Sequence, residues 1–347
     1  MPLETFDDVV KSIKNNNGRA FNLLLGNGFS MAYDSKIFSY NALHNFVEGS
    51  NHKLLSKVFD AMKTKNFELI LQQLDTFHVL AEALGADKKL KSQISEASSV
   101  LKTSLIDAVK ELHPEHVFKV PEEKINACAK FIKLFLDKNG KLFTTNYDVL
   151  LYWVLMRSPT LKAIGDGFGR EREGADEYIP TEDLQYSELR WGKNKDSQVV
   201  FYMHGALPIF DTGINIIKEE YTGQNLLLEN ISNRVKNGEY PVFVTAGNGK
   251  EKLTHIRHNR YLSYCYDRFS EMTGSLVTFG FNFGEYDDHI IDAINIAAHY
   301  GKKVPNKLWS IYIGAYSDED VKYLEGMRKK FKCKVHIFDA KTAPVWG

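Results

Sequence analysis

Residues 21–30 read FNLLLGNGFS, a largely apolar run of five followed by a turn that contains two glycines. This pattern predicts a buried strand over residues 21–25 that ends in a tight turn. Two further apolar runs also end in polar residues: 141–143 lead into TTNYD at 144–148, and 199–203 lead into His204 and Gly205. In an open parallel sheet, ligands bind outside the carboxyl ends of the strands. The three strings therefore predict a nucleotide site at one edge of such a sheet.

Predicted strands alternate with predicted helices along most of the chain. A helix is expected over residues 5–15, and the later strands are expected over 198–203, 241–245, 275–279, 308–313 and 334–338. Helices are expected over 255–272, 287–299 and 318–331. The alternation predicts an α/β fold with a doubly wound, mostly parallel, Rossmann-like sheet. The stretch 157–197 is expected to be irregular.

Residues 40–138 contain no convincing strand-like run, and their apolar residues recur at helical spacing. This predicts a large all-helical insertion between the first two strands. We expect a single domain over residues 1–347 that contains this insertion at 40–138.

Composition excludes several classes of protein. The 347 residues carry 44 basic and 44 acidic side chains, so no overall field attracts nucleic acid or an anionic membrane. Cys128, Cys265 and Cys333 are scattered and never form C-x-x-C, which argues against a disulfide framework and a cysteine-bound zinc. The acidic start lacks the apolar core of a signal peptide, and no apolar stretch approaches the ~20 residues that span a bilayer. We expect a cytoplasmic protein with no metal, no membrane partner and no direct binding to nucleic acid.

The glycine turn has two interpretations. Gly26 and Gly28 would let the backbone turn sharply and approach a phosphate. However, the string lacks the third glycine of G-x-G-x-x-G and the lysine of a P-loop, so an ordinary strand-to-helix turn is the alternative.

The polar strings after the next two strands also have structural alternatives. Thr145 or Asn146 could cap a helix, with Asp148 in its first turn, or the Asn146 carboxamide could orient a water or a ribose hydroxyl. His204 could be an interior histidine with satisfied hydrogen bonds, or a base that takes a proton from a hydroxyl or a water.

A second glycine-bracketed loop, GFNFGEYDD, occupies residues 280–288. Asn282 could bind a ribose or a phosphate, whereas Asp287 or Asp288 could simply cap the following helix. The Arg- and Tyr-rich segment 257–268 is interpreted as a solvated or interface helix, because it carries no signature of a nucleic-acid module.

Taken in order, GNGFS, TTNYD, HG and GFNFGEYDD resemble the motifs of the sirtuin (Sir2) superfamily, specifically its divergent prokaryotic Sir2-like NAD-hydrolase branch. The resemblance covers residues 21–33, 141–151, 199–207 and 275–298. It implies cleavage of the nicotinamide–ribose bond of NAD+ to give nicotinamide and ADP-ribose, with NAD as substrate and no further cofactor. It also implies a role as an NAD-depleting effector of anti-phage defence. Because the paired C-x-x-C motifs of zinc-binding sirtuins are missing, deacylase activity is not expected.

The resemblance implies a role for each motif residue. Asn146 would hold the ribose and the attacking water, His204 would take a proton, and Asp148 would support the loop. The residues expected to bind NAD are Gly26, Asn27, Gly28, Phe29, Ser30, Thr145, Gly280, Asn282 and Asp287.

The resemblance also implies control of activity through a homo-oligomer or a separately encoded defence partner, with the helical insertion close to the mouth of the site. Three other functions remain open. The chain could be a non-catalytic sensor that binds NAD or ADP-ribose, an assembly subunit, or a phosphate-transferring NTPase, the last disfavoured by the missing P-loop lysine.

Overall fold

The fold is taken from a computed structural model that describes residues 3–15, 19–35, 53–62, 67–114, 116–161, 164–172, 186–221, 226–244, 249–284, 286–299, 301 and 304–347. The helices in these ranges are α1 (Phe6–Lys14), α2 (Asn27–Tyr33), α3 (Lys53–Met62), α4 (Phe67–Ala83), α5 (Lys88–Leu112), α6 (Glu122–Leu136), α7 (Leu150–Arg157), α8 (Leu227–Lys236), α9 (Gly249–His258), α10 (Arg260–Ser270), α11 (Asp288–Ala298) and α12 (Asp318–Met327). The strands are β1 (Phe21–Leu25), β2 (Leu142–Thr144), β3 (Phe168–Gly169), β4 (Leu189–Trp191), β5 (Val200–Tyr202), β6 (Gly205–Asp211), β7 (Ile216–Lys218), β8 (Pro241–Phe243), β9 (Gly274–Phe279), β10 (Leu308–Ala315) and β11 (Lys334–Asp339).

Six strands form one parallel sheet in the order β11-β10-β9-β1-β2-β5. Numbered along the chain from one to six, these strands stand in the order 3-2-1-4-5-6 of doubly wound sheets that bind dinucleotides. The order reverses between β1 and β9, and ligands bind in the crevice at such a point. The predicted α/β class and parallel sheet are confirmed.

The centre of this sheet is buried on both faces. All five residues of β1 are buried, and Leu25 lies level with Phe279 of β9 and with Thr144 of β2. Asn22 is the polar exception within β1: its Nδ2 donates to the carbonyls of Thr273 and Ser275 at 2.8 and 3.2 Å, and its Oδ1 accepts from the Lys141 N–H at 3.0 Å. Asn22 therefore ties β1 to both neighbouring segments, and the three following loops start at the same level.

A second, antiparallel sheet was not predicted. It has the order β3-β4-β7-β6-β8, so the expectation that the strand near 241–245 continues the parallel sheet is wrong. Gly205 has φ +80°, and a Cβ there would lie 1.7 Å from the Val242 carbonyl oxygen. Because only glycine fits this approach, the chain can leave the parallel sheet after His204 and pair with β8. The stretch expected to be irregular at 157–197 contains β3 and β4.

The helix expected over 255–272 is two helices. The break falls at Asn259, whose Oδ1 accepts hydrogen bonds from the N–H groups of Tyr261 and Leu262, both at 3.1 Å. An asparagine that caps a helix in this way fixes its start, so α10 begins at Arg260 rather than continuing α9.

The described parts of the predicted insertion are helical. Within 53–62, 67–114 and 116–138 the chain forms α3 to α6 and one short 3-10 turn, with no strand in those ranges, whereas 40–52, 63–66 and 115 lie outside the described residues. The last helix, α6, packs against β1, with the rings of Phe135 and Phe21 4.2 Å apart. Part of the insertion therefore packs directly on the sheet and contributes to its core. In the described chain no helix combines the length and the apolar character needed to cross a bilayer.

Candidate functional site

The loops after β1 and β2 meet in a chain of three hydrogen-bonded side chains. The Ser30 hydroxyl donates to Asp148 Oδ2 at 2.5 Å, and Asn146 Nδ2 donates to Ser30 Oγ at 2.9 Å. Ser30 is fully buried and Asn146 is 7% exposed. Residues predicted on two separate strings are therefore brought together at one edge of the sheet.

This network fixes the orientation of the Asn146 amide. The Ser30 hydroxyl donates its only hydrogen to a hydrogen bond with the Asp148 carboxylate. Ser30 Oγ can therefore only accept from Asn146, which must present its NH₂ group. Asn146 Oδ1 is then turned away from Ser30 and has no hydrogen-bond partner among the described residues. A buried polar atom left in this way costs about 1–3 kcal/mol, and a hydroxyl donor from a ligand would satisfy it.

Backbone contacts hold Asn146 and Asp148 in place. The Asn146 N–H donates to Thr144 Oγ1 at 3.1 Å, and the Thr145 N–H donates to the Leu25 carbonyl at 3.0 Å. Asp148 Oδ1 accepts from the Leu150 N–H at 2.9 Å. The expected cap by Thr145 or Asn146 is therefore wrong: the side-chain contact to the first turn of α7 comes from Asp148, which precedes the helix rather than lying in its first turn. Burial raises the pKa of Asp148, and the hydrogen bonds from Ser30 and Leu150 oppose that shift.

The predicted glycines pack the loops after β1 and β9 against each other. The Gly28 N–H donates to the Gly280 carbonyl at 2.9 Å. A Cβ on Gly26 would lie 2.4 Å from the Gly280 oxygen, and a Cβ on Gly28 would lie 2.5 Å from the Gly280 Cα. Gly280 itself has φ +67°. The glycines thus allow backbone contact at the point where the strand order reverses, and their binding of phosphate stays a prediction.

The other predicted binding residues have diverse surroundings. Asn27 and Asn282 are exposed beside the two glycine turns, and Thr145 is buried below Asn146. The Phe29 side chain is fully buried, with its ring 4.9 Å from that of Trp346. Its N–H donates to the Gly26 carbonyl at 2.9 Å and its carbonyl accepts from Trp346 Nε1 at 2.9 Å, so the structure gives Phe29 a packing role. Asp287 pairs with Lys252, Oδ1 to Nζ 2.9 Å.

His204 contacts a second histidine that the motif analysis missed. Its Nε2 lies 2.9 Å from Nε2 of His289, which is in the first turn of α11, and both side chains are buried. His204 follows β5 and α11 follows the β9 loop, while β1 and β2 lie between those two strands. The pair therefore spans the edge of the sheet over the strands that lead to Ser30 and Asn146. The only sequence signal for His289 is its position directly after Asp287 and Asp288.

Both histidines are neutral near pH 7. Burial, with His289 and Lys252, lowers the pKa of His204 well below its ordinary value. Burial also lowers the pKa of His289 to about 4, although Asp287 and Asp288 act in the opposite direction. A neutral imidazole is the form that can accept a proton from a hydroxyl or a water.

These depressed pKa values predict loss of stability in acid. Below about pH 6.5 the unfolded chain binds protons on these histidines while the folded chain does not, so the free energy of unfolding falls as the pH falls from 6.5 towards 4. For His289, with a folded pKa of about 4, the full loss is about 3 kcal/mol. Replacing His289 by Gln should flatten this dependence in urea unfolding at pH 7.5, 6 and 5, and the exposed His258→Gln serves as control. Equal slopes for wild type and His289→Gln would contradict the prediction.

The expected absence of a metal remains a prediction. In the ranges that the structure describes, no group of three or more His, Cys, Asp and Glu side chains is arranged to hold a metal ion. We expect elemental analysis to find no stoichiometric zinc and EDTA to leave the melting temperature unchanged. One tightly bound zinc per chain would contradict this and would restore deacylase chemistry as an alternative.

A family model described as Domain of unknown function (DUF4917) matches residues 23–346. No curated protein matches the chain.

Proposed function

We propose that this chain, which belongs to the DUF4917 family, is a Sir2-like NAD+ hydrolase that cleaves the nicotinamide–ribose bond to give nicotinamide and ADP-ribose. One observation carries the proposal: Asn146, held by Ser30, has a buried Oδ1 without a hydrogen-bond partner among the described residues, at the carboxyl edge of a sheet ordered 3-2-1-4-5-6. That edge is where sheets of this order bind dinucleotides.

The chemistry of NAD+ suits this set of side chains. Nicotinamide leaves as a neutral molecule and the ribose develops an oxocarbenium-like transition state, so catalysis needs positioning and dry surroundings more than a strong nucleophile. Asn146 Oδ1 would accept a hydrogen bond from the attacking water or a ribose hydroxyl. His204, neutral and buried, would take the proton.

Asp148 would act as a positioning residue in this scheme. Its carboxylate accepts the hydrogen bond of the Ser30 hydroxyl, so Ser30 Oγ accepts from the Asn146 NH₂ group. Asn146 Oδ1 consequently faces away from Ser30. Gly26, Gly28 and Ser30 would receive the pyrophosphate, and Gly280, Asn282 and Asp287 would contact the adenosine ribose, as the sequence resemblance implies.

The direct test is incubation of the purified protein with NAD+, with and without candidate activators, with nicotinamide release followed by chromatography and NAD+ binding followed by calorimetry. Release of nicotinamide together with ADP-ribose supports the proposal. Binding without cleavage would favour the sensor, and neither binding nor cleavage would favour the assembly subunit.

The proposed biological setting is NAD depletion during anti-phage defence, and it rests on the sequence resemblance. An unregulated NAD+ hydrolase would exhaust the cell's own pool, so we expect turnover per chain to depend on assembly of a homo-oligomer or on a partner. Turnover measured across a wide protein concentration, with mass recorded by light scattering, tests this. Full activity in a dilute, partner-free monomer would contradict it.

A further inference from the structure

His204 and His289 form a buried pair whose second member has no role in the proposed function. Their Nε2 atoms are 2.9 Å apart, and the ring centroids are 5.1 Å apart with planes inclined by 23°. His289 is 1% exposed, and its backbone is fixed by the Tyr266 hydroxyl, which donates to the His289 carbonyl at 3.1 Å. The partner of His204 is thus a fixed group within the fold.

The bond between two Nε2 atoms restricts how His204 can work. One ring must donate and the other must accept. Since Nε2 of His204 faces His289, its Nδ1 is the nitrogen left for a substrate hydroxyl or a water. If His204 donates to His289, its Nδ1 is an open base. If His289 donates, Nδ1 of His204 carries the hydrogen and cannot accept a proton.

We infer that His289 is a positioning residue for His204, and that the bond between their Nε2 atoms decides whether Nδ1 of His204 is a base or a donor. This inference rests on the proposed function. In the base form, the hydroxyl proton moves to Nδ1 of His204, and the resulting imidazolium keeps donating Nε2–H to His289 until Nδ1 returns its proton to solvent. A third group that orients a base in this way is a recurrent feature of catalytic sites.

The surroundings indicate which form the free protein holds. Nδ1 of His289 is buried and has no hydrogen-bond partner in the described part of the chain. A buried N–H without a partner is rarer than a buried acceptor without one, so the hydrogen of His289 belongs on Nε2. His204 then carries its own hydrogen on Nδ1, and the base form is the minor one before substrate binds.

The charged groups around the pair are Lys252 on α9, Asp287 and Asp288 at the start of α11, and Lys330 in the turn after α12. Lys252 on α9 pairs with Asp287, and Lys330 pairs with Asp288 at 3.2 Å. Lys252 and His289 lower the pKa of His204, whereas Asp287 and Asp288 raise that of His289. Two lysine–carboxylate ion pairs therefore flank the pair of histidines.

The kinetic test compares two substitutions of His289. His289→Phe keeps a ring but has no nitrogen, and it should lower kcat about 10- to 100-fold, as for residues that orient a metal-bound histidine, with little change in KM for NAD+. His289→Gln restores a donor and an acceptor and should recover much of the loss. Because His289 acts through His204, the double variant His204→Ala/His289→Phe should be no slower than His204→Ala alone. A double variant that is slower than His204→Ala by the full 10- to 100-fold factor would overturn the inference.

A second measurement does not need activity. In protein labelled with ¹⁵N-histidine and free of NAD+, NMR should show His204 protonated on Nδ1 and a hydrogen-bonded proton linking the two Nε2 atoms. That linking signal should disappear in His289→Phe and persist in His336→Phe, a control on the edge strand β11 whose ring stacks on Tyr312. Absence of the linking signal in the wild type would overturn the inference even if NAD+ is cleaved. Absence of nicotinamide release at high protein concentration and with candidate activators would instead refute the proposed function and leave the NMR result to decide the pair.

Discussion

Asn146→Ala and His204→Ala are each expected to lower the rate of nicotinamide release by about 10²- to 10⁴-fold. The first removes the amide whose Oδ1 would bind the attacking water or a ribose hydroxyl in the proposed reaction, and the second removes the neutral imidazole that would take the proton. Neither side chain fills the apolar core, so the fold should persist. Nicotinamide release under saturating NAD+ gives the change in kcat.

The matched controls remove the same residue types elsewhere. Asn295→Ala deletes an asparagine on the outer face of α11 that donates to the Lys330 carbonyl at 2.9 Å, and His258→Gln deletes an exposed histidine. Both should keep the wild-type rate. If Asn146→Ala or His204→Ala kept near-wild-type turnover with an unchanged circular dichroism spectrum, the role assigned to that residue would be wrong.

Ser30→Ala provides an intermediate case that tests the network itself. Without the hydroxyl, Asn146 loses the acceptor of its NH₂ group, and the amide can rotate so that Oδ1 no longer faces a ligand. If Ser30 positions Asn146, we expect Ser30→Ala to lower kcat, but by less than Asn146→Ala.

Most of the parallel sheet was predictable because its longer strands carry their own local signal. The runs at 21–25, 274–279 and 308–315 are five or more residues long, are rich in apolar and β-branched side chains, and end in glycine or polar turns. The site residues on these strand ends follow from the same rule, because carboxyl ends of parallel strands share one edge.

The antiparallel sheet and the histidine pair were not predictable in this way. β3, β4 and β7 have only two or three residues each, too few for an alternating pattern, and they depend on pairing with distant segments. The strand at β8 was predicted over 241–245, but its antiparallel pairing with β6 was not. The contact between His204 and His289 joins residues 85 positions apart. It depends on where α11 starts relative to β5, which no local periodicity records.

Gly280→Ala is expected to destabilise the fold by about 2–5 kcal/mol, the largest effect of a single methyl group in the candidate site. Gly280 has φ +67°, and its Cβ would lie 2.5 Å from backbone atoms of Gly28 and Phe29. The left-handed conformation accounts for about 1–2 kcal/mol of this, and the forced separation of the two loops accounts for the rest.

Two further glycines separate these contributions. Gly85 has φ +70° with nothing within 4 Å of its Cβ position, so Gly85→Ala carries only the conformational cost. Gly26→Ala adds mainly the steric cost, because its Cβ would lie 2.4 Å from the Gly280 oxygen without a positive φ. Urea unfolding should rank Gly280→Ala as the least stable of the three. Equal stability of Gly280→Ala and Gly85→Ala would mean that the loops after β1 and β9 can separate freely. The close backbone contact between these two loops would then not determine the shape of this edge of the sheet.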